Sequence, residues 1–165
     1  MAYLDQNINQ FKQGKAVGDL DLNFFGGEHV ISCRYNPDDT STNTLVAGET
    51  VKLTDLGTSD VEGIPIITKR TADTDTIFGC VIRSLKQSSF EPGDVVEIAV
   101  QGAVMNLRAS AAISRGTKVS GVYGTPGNIA AVSTNAYLGY TIDKASAAAD
   151  IVRVMIMADA VTAGE

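Results

Sequence analysis

The chain has one histidine, His29, set in the irregular stretch Phe24-Phe25-Gly26-Gly27-Glu28-His29. A lone imidazole with no thiolates beside it cannot form a His-rich metal set. No serine stands in a G-x-S-x-G elbow that would make His29 a catalytic base. His29 therefore reads as a solvated loop residue. Carboxylates pair at Asp19 and Asp21, at Asp38 and Asp39, and at Asp73 and Asp75. Paired acids can hydrolyse glycosides or hold Ca²⁺. However, "TADTDTIFG" lacks the later ligands of a calcium loop, and its Thr-Asp alternation suits a loop entering a strand. Solvated loop acids are the plainer reading, with a weak cation site at Asp73 and Asp75 as the alternative. Gly121 to Asn128, "GVYGTPGN", is glycine-rich but has neither GxxxxGK[ST] nor GxGxxG spacing. A mobile surface loop is expected there. No catalytic residue, cofactor or metal set is assigned.

The wider composition narrows the classes further. Of 165 residues, 13 are Lys or Arg and 19 are Asp or Glu, a formal net charge of −6. An acidic chain has no diffuse attraction to nucleic-acid phosphates or anionic lipid. Its basic residues are scattered, without the aromatic-basic platform that stacks single strands. No apolar stretch approaches the roughly 18 residues of a membrane span, and "MAYLDQNINQFKQGK" lacks a secretory core. Synthesis in a cytoplasm is the expectation, with no nucleic-acid or membrane partner. Cys33 and Cys80 lie far apart and outside any CxxC spacing, so buried free thiols are expected.

The elements that would position any site have a period of two. In "DVVEIAV", Val96, Ile98 and Val100 share one face and Glu97 marks the wetter one. Alternation recurs in "TVKL", "AVMNLR" and "IVRVMIM", and "GIPIITK" reads as a strand start or edge because Pro65 lacks an N–H. Glycines punctuate the runs. Gly48, Gly93 and Gly116 each precede a strand, and Glu91-Pro92-Gly93-Asp94 has the chemistry of a type II turn. Gln101-Gly102 between two alternating runs suggests a tight hairpin. Gly79 in "IFGCVIR" and Gly139 in "YLGYTID" hold the same register and suggest bends that help a sheet curl closed. Two loosely similar halves follow, AGETV–IFGCVI–DVVEIAV and RGTKV–YLGYTI–DIVRVMI. Shared barrel grammar and duplication both account for them.

These patterns predict an all-β protein, a small β-barrel or sandwich with an extended, largely irregular N-terminal arm. The expected division is 1–44 arm, 45–157 barrel and 158–165 tail. "HVISCRY" could be one strand within the first part. Tyr3, Leu4, Ile8, Phe11, Phe24 and Phe25 are the residues an arm could bury against a partner; a plain flexible tail is the other reading.

The phrases "VAGETVKL", "IFGCVI", "FEPGDVVEIAVQGAV", "LRASAAISRGTKV" and "YLGYTIDKASAAADIVRVMI" resemble the capsid decoration, or cement, proteins of tailed bacteriophages. That resemblance covers about two thirds of the chain. It implies a small β-rich module, commonly a homotrimer, bound to the major capsid protein on the outer surface of the expanded virion head. It also implies an arm lying along the shell and stabilisation of the capsid as the function. Three other readings belong to different classes. A carbohydrate-binding or adhesive β-module would use Tyr123, Tyr137 and Tyr140, although the chain has no Trp. A hydrolase would use paired acids. A lipoyl-type carrier needs a lysine at a hairpin tip, which is missing.

Overall fold

The computed structural model describes residues 16–20, 29–39, 44–54, 63–132 and 136–158. It is all-β, with no helix among the described residues. Instead of one barrel there are two, each closed by five strands. The first contains β1 (Val30–Tyr35), β3 (Thr50–Leu53), β4 (Ile66–Lys69), β5 (Gly79–Val81) and β7 (Val95–Ala99), in the order β1-β4-β3-β5-β7. The second contains β8 (Val104–Ala109), β9 (Lys118–Gly121), β10 (Asn128–Ala131), β11 (Gly139–Thr141) and β12 (Ile151–Ile156), in the order β10-β8-β12-β11-β9. A two-stranded sheet of β2 (Leu45–Val46) and β6 (Ser89–Phe90) accompanies the first barrel.

The two barrels have one topology. Taking the strands of each in chain order, both close as first, third, second, fourth, fifth. In both, the first and third strands are parallel (β1 with β4, β8 with β10) and every other pair is antiparallel. Backbone hydrogen bonds repeat with it. Tyr35 N donates to Asp94 O at 2.9 Å, and Ala109 N donates to Asp150 O at 2.8 Å. Phe78 N to Val51 O is matched by Leu138 N to Val119 O, both at 2.8 Å. The Leu45–Phe90 pair of the small sheet has its counterpart in the bridge between Ile113 and Ala145. The two loosely similar halves of the sequence are thus one barrel each, with β1 and β8 as their leading strands.

Two sequence-based expectations change as a result. Val30–Tyr35 falls inside the stretch read as an arm, yet it pairs with β4 and β7 and closes the first barrel. Gln101-Gly102 does turn the chain: Ala103 N donates to Val100 O at 3.0 Å and Gly102 has φ +99°. However, the strands on either side do not pair with each other. With positive φ at the second central position only, the turn is of the type II kind, which splays strands that a type I′ turn would keep together. It hands the chain from one barrel to the other.

Each barrel is filled by its inward-facing residues. Tyr35, Val51, Ile67, Val81, Val96 and Ile98 are fully buried in the first. Leu107, Val119, Ile129, Leu138, Val154 and Ile156 are buried to the same degree in the second. Ile77, Cys80 and Ala99 belong to the first barrel by sequence position but pack against the second core, so this side of the first barrel is buried on the second. Close strand approach requires glycine at two matched points. A Cβ on Gly79 would lie 2.5 Å from Ala99 O, and one on Gly139 would overlap Met155 O. Pro65 sits directly before β4, where its carbonyl accepts from Arg34 N at 2.9 Å.

Candidate functional site: the seam and the outer face

Most of the groups singled out for chemistry have structural occupations; Asp21 lies outside the described residues, and Asp39 accepts from the Tyr35 hydroxyl at 3.0 Å. The ring of His29 lies against Gly102, close enough that a Cβ there would be 2.7 Å from it, and its carbonyl accepts from Val100 N at 3.0 Å. It braces the start of β1 against the turn between the barrels. Asp75 Oδ2 accepts from Thr71 N at 2.6 Å, Thr71 Oγ1 at 2.9 Å and Ala72 N at 3.1 Å, and pairs with Lys52 Nζ at 3.1 Å. Burial pushes its carboxyl up. The hydrogen bonds from Thr71, Lys52 and Ala72 outweigh that and hold it at about 2. Asp73 turns elsewhere, accepting from Tyr123 N at 2.9 Å. Asp19 pairs with Arg83 at 2.8 Å and accepts from Ala16 N at 3.1 Å. Each of these acids caps a turn or crosses between segments. Among the described residues no group of three or more His, Cys, Asp or Glu could hold a metal ion.

Cys33 and Cys80 are buried free thiols. Burial, with Glu97 adding to it, pushes Cys33 up to about 11, and burial with Glu49 pushes Cys80 up still further. Neither is a nucleophile at neutral pH.

The glycine-rich loop read as a mobile surface segment is exposed from Tyr123 to Pro126, while Gly121 and Gly127 at its ends lie in the seam between the barrels. Gly127 N donates to Gly48 O at 3.2 Å, and Gly121 abuts the Thr50 side chain. Arg70 locks the seam. It is 2% exposed; its Nη1 donates to Thr50 Oγ1 at 3.0 Å and to Gly121 O at 3.1 Å, and its Nη2 donates to Asp73 O at 2.7 Å. Burial lowers its pKa while Asp73 and Asp75 oppose the shift, and a guanidinium stays charged through this. Beside it Lys69 and Glu49 pair at 2.7 Å. The cavity at the seam has about 10 Å³, room for one water and no substrate. Sequence reasoning passed over Arg70 as one of several scattered cations. The only cue was its place before "TADTD".

The outer face of the second barrel is different in kind. Tyr140 on β11 lies opposite Met155 on β12 and Lys118 on β9. Tyr140 is 38% exposed, and Met155 and Met157 are each 37% exposed. Tyr137 meets Tyr140 edge to face, ring centroids 5.9 Å apart at 64°, and Lys118 Nζ stands 4.0 Å from the Tyr137 ring centre. This is a continuous aromatic and thioether surface with a cationic rim, the composition of a protein contact. The two rings cross at a steep angle and do not form the flat platform a sugar would stack on. Tyr123 stands apart from them, on the seam loop. Leu85 is the most exposed apolar residue at 91%, on the loop after β5.

The candidate arm residues Tyr3, Leu4, Ile8, Phe11, Phe24 and Phe25 lie outside the described residues. Of the glycines proposed as turns and bends, Gly48, Gly93, Gly102 and Gly116 have positive φ, while Gly79 and Gly139 lie at the close approaches described above.

No curated protein matches the chain. A solved structure similar to it is the N base of head fibre gp8.5 of bacteriophage phi29, with a TM-score of 0.50 at 14% identity over 81% of this chain and 97% of that one. At this identity the likeness is one of fold. A family model described as XM1 gp53 minor capsid protein matches residues 2–156, nearly the whole sequence and both barrels. The chain belongs to this family of phage minor capsid proteins.

Proposed function

We propose that this structural virion protein is a capsid decoration protein that binds the outer surface of the expanded head and stabilises it. The observation that carries the reading is the family match over residues 2–156, which spans the N-terminal segment as well as the barrels. Three features support it. Asp19, Asp73, Asp75 and His29 are engaged in turns and packing. Arg70 and the packing of Ile77, Cys80 and Ala99 on the second core hold the two barrels together. The Tyr140–Met155–Met157 face offers a ready contact for the major capsid protein. The N-terminal segment carries the other apolar contacts, Tyr3, Leu4, Ile8, Phe11, Phe24 and Phe25.

Stabilisation then works by linkage. A protein that binds only the expanded shell stabilises it by about 2.7 kcal/mol per site at a hundredfold excess over Kd. A homotrimer would match threefold points of the shell and add avidity. The test is to add the purified chain to heads that lack it, then follow co-sedimentation and the temperature of head disruption. Binding together with a raised disruption temperature is expected. Absence of binding overturns the proposal, and binding with an unchanged disruption temperature reduces it to an attachment role. Light scattering on the purified chain tests the trimer.

A further inference from the structure

The duplicated topology gives outer positions of one barrel their counterparts in the other. In the first barrel Thr50, Cys80 and Ala99 stand opposite one another across β3, β5 and β7. In the second, Lys118, Tyr140 and Met155 hold the same places across β9, β11 and β12. Ile77 and Tyr137 extend the match, each two residues before the paired glycine, Gly79 or Gly139. The two rows have opposite fates. Ile77, Cys80 and Ala99 are fully buried and pack against the second core, and Thr50, also buried, abuts Gly121. Tyr140 and Met155 are exposed, with Tyr137 and Lys118 half-buried beside them. The aromatic face of the second barrel is thus the counterpart of the face by which the first barrel docks.

The receiving side is matched as well. Gly121 is paired with Ile129 as Leu53 is with Ile67, so Leu53 is the counterpart of Gly121. Gly127 directly precedes β10 as Pro65 directly precedes β4. Gly121 and Gly127 lie against the first barrel, at Thr50 and Gly48. Leu53 and Pro65 are exposed. The chain therefore joins one such pair of surfaces internally and leaves the matched pair open among the described residues.

We infer that the Tyr137–Tyr140–Met155 face of one copy docks on the Leu53–Pro65 side of a second copy, repeating between chains the contact that joins the two barrels within one. Side-chain size fits the difference between the two contacts. Inside the chain the link through Gln101-Gly102 already holds the barrels together, so Thr50, Cys80 and Ala99 need only let them approach. Between chains the contact must offset the freedom lost on association. Aromatic and thioether side chains supply the burial this takes. With Leu53 and Pro65 in place of two glycines, the barrels of neighbouring copies stand further apart than those of one chain. A contact between two different surfaces is heterologous, so it closes into a ring or runs on head to tail. The inference goes beyond head binding and does not rest on it. On a head, the face then acts through the assembly, whose several copies bind with avidity.

The test is sedimentation velocity on the full-length chain, without heads, over a range of concentrations. The wild type is expected to assemble. Tyr140→Asp combined with Met155→Asp should weaken association at least about a hundredfold, and Leu53→Asp at least about tenfold. Each variant keeps one of the two surfaces intact. Mixing them should therefore restore a single contact and give a pair of unlike chains, which also shows both variants folded. Tyr140→Ser with Met155→Ser is the milder variant of the same face, should the aspartates unfold the barrel. A wild type that stays monomeric up to about 1 mM overturns the inference. So does assembly that survives Leu53→Asp but not the double variant, which would pair the face with itself. So does a mixture of folded variants that stays monomeric. Assembly unaffected by any of these substitutions gives the face to another partner, the shell included. No heads enter the measurement, so its failure leaves the decoration reading standing.

Discussion

Ala149 is the one described non-glycine residue with positive φ, at 72°. The duplication explains what it replaces. Gly93 N donates to Tyr35 O at 2.9 Å and Ala149 N donates to Ala109 O at 2.8 Å, so the two hold one position in the two barrels. Gly93, at φ 96°, occupies it without strain. A left-handed conformation costs an L-residue about 1–2 kcal/mol, and glycine gives back part of that gain as unfolded-state entropy. Ala149→Gly is therefore expected to stabilise the protein by roughly 0.5–1 kcal/mol, read as a higher urea midpoint at unchanged slope. Gly93→Ala should move the midpoint the other way. Asp75 sets a second expectation. Its folded pKa of about 2 lies below the roughly 3.9 of an unfolded aspartate. Its contribution is complete above the unfolded value and is lost as pH falls through the folded one. Thermal unfolding followed from neutral pH down to about pH 2 should show the wild type losing stability over that range. Asp75→Asn should be less stable at neutral pH and lose less on acidification.

At the scale of elements, the seam decides whether two small barrels act as one body. Arg70 donates to Thr50, Gly121 and Asp73 from a buried position. Arg70→Met keeps much of the volume but leaves Thr50 Oγ1 and the two carbonyls without this donor. A loss on the order of 3 kcal/mol is expected from the acceptors left unsatisfied, together with faster amide exchange at Tyr123, whose N–H bonds Asp73 across the seam. Equal stability with unchanged exchange would mean that the apolar contacts of Ile77, Cys80 and Ala99 alone join the barrels. Much of this architecture was legible in the residues. The period of two, the turns before Val51, Val95 and Val119, and the matched Gly79 and Gly139 phrases all follow from local stereochemistry. Local stereochemistry does not say which strands pair. Gln-Gly reads equally as a hairpin or a handover, because the sign of φ at Gln101 decides between them and glutamine does not advertise it. β1 was hidden for a related reason. "HVISCRY" shows alternation, but its partners β4 and β7 lie some 30 and 60 residues away, so nothing nearby marked it as part of a barrel. The seam was least legible, since Arg70 acquires its role only from a fold that brings Gly121 and Thr50 together.

On the scale of the whole molecule, the proposed decoration role puts the function of the two-barrel block in what it presents outward. The exposed apolar residues are unevenly spread. Leu53, Leu85, Val95 and Tyr123 stand on separate strands and loops, whereas Tyr140 and Met155 adjoin on paired strands, with Met157, Tyr137 and Lys118 beside them. Contact energy concentrates in such clusters of aromatic and flexible apolar side chains, ringed by polar groups that exclude water. The face also lies on strands, so it is rigid and costs little entropy to bind. Tyr140→Asp combined with Met155→Asp should weaken head binding by about a hundredfold, equivalent to about 2.7 kcal/mol. Because both side chains point outward, folding stability should change by less than about 1 kcal/mol. Leu85→Asp, an equally drastic change at a more exposed but isolated residue, should leave binding nearly intact. If the double variant binds heads like the wild type while Leu85→Asp does not, the contact lies on the first barrel. If the wild type itself does not bind, the decoration reading fails before the face is tested.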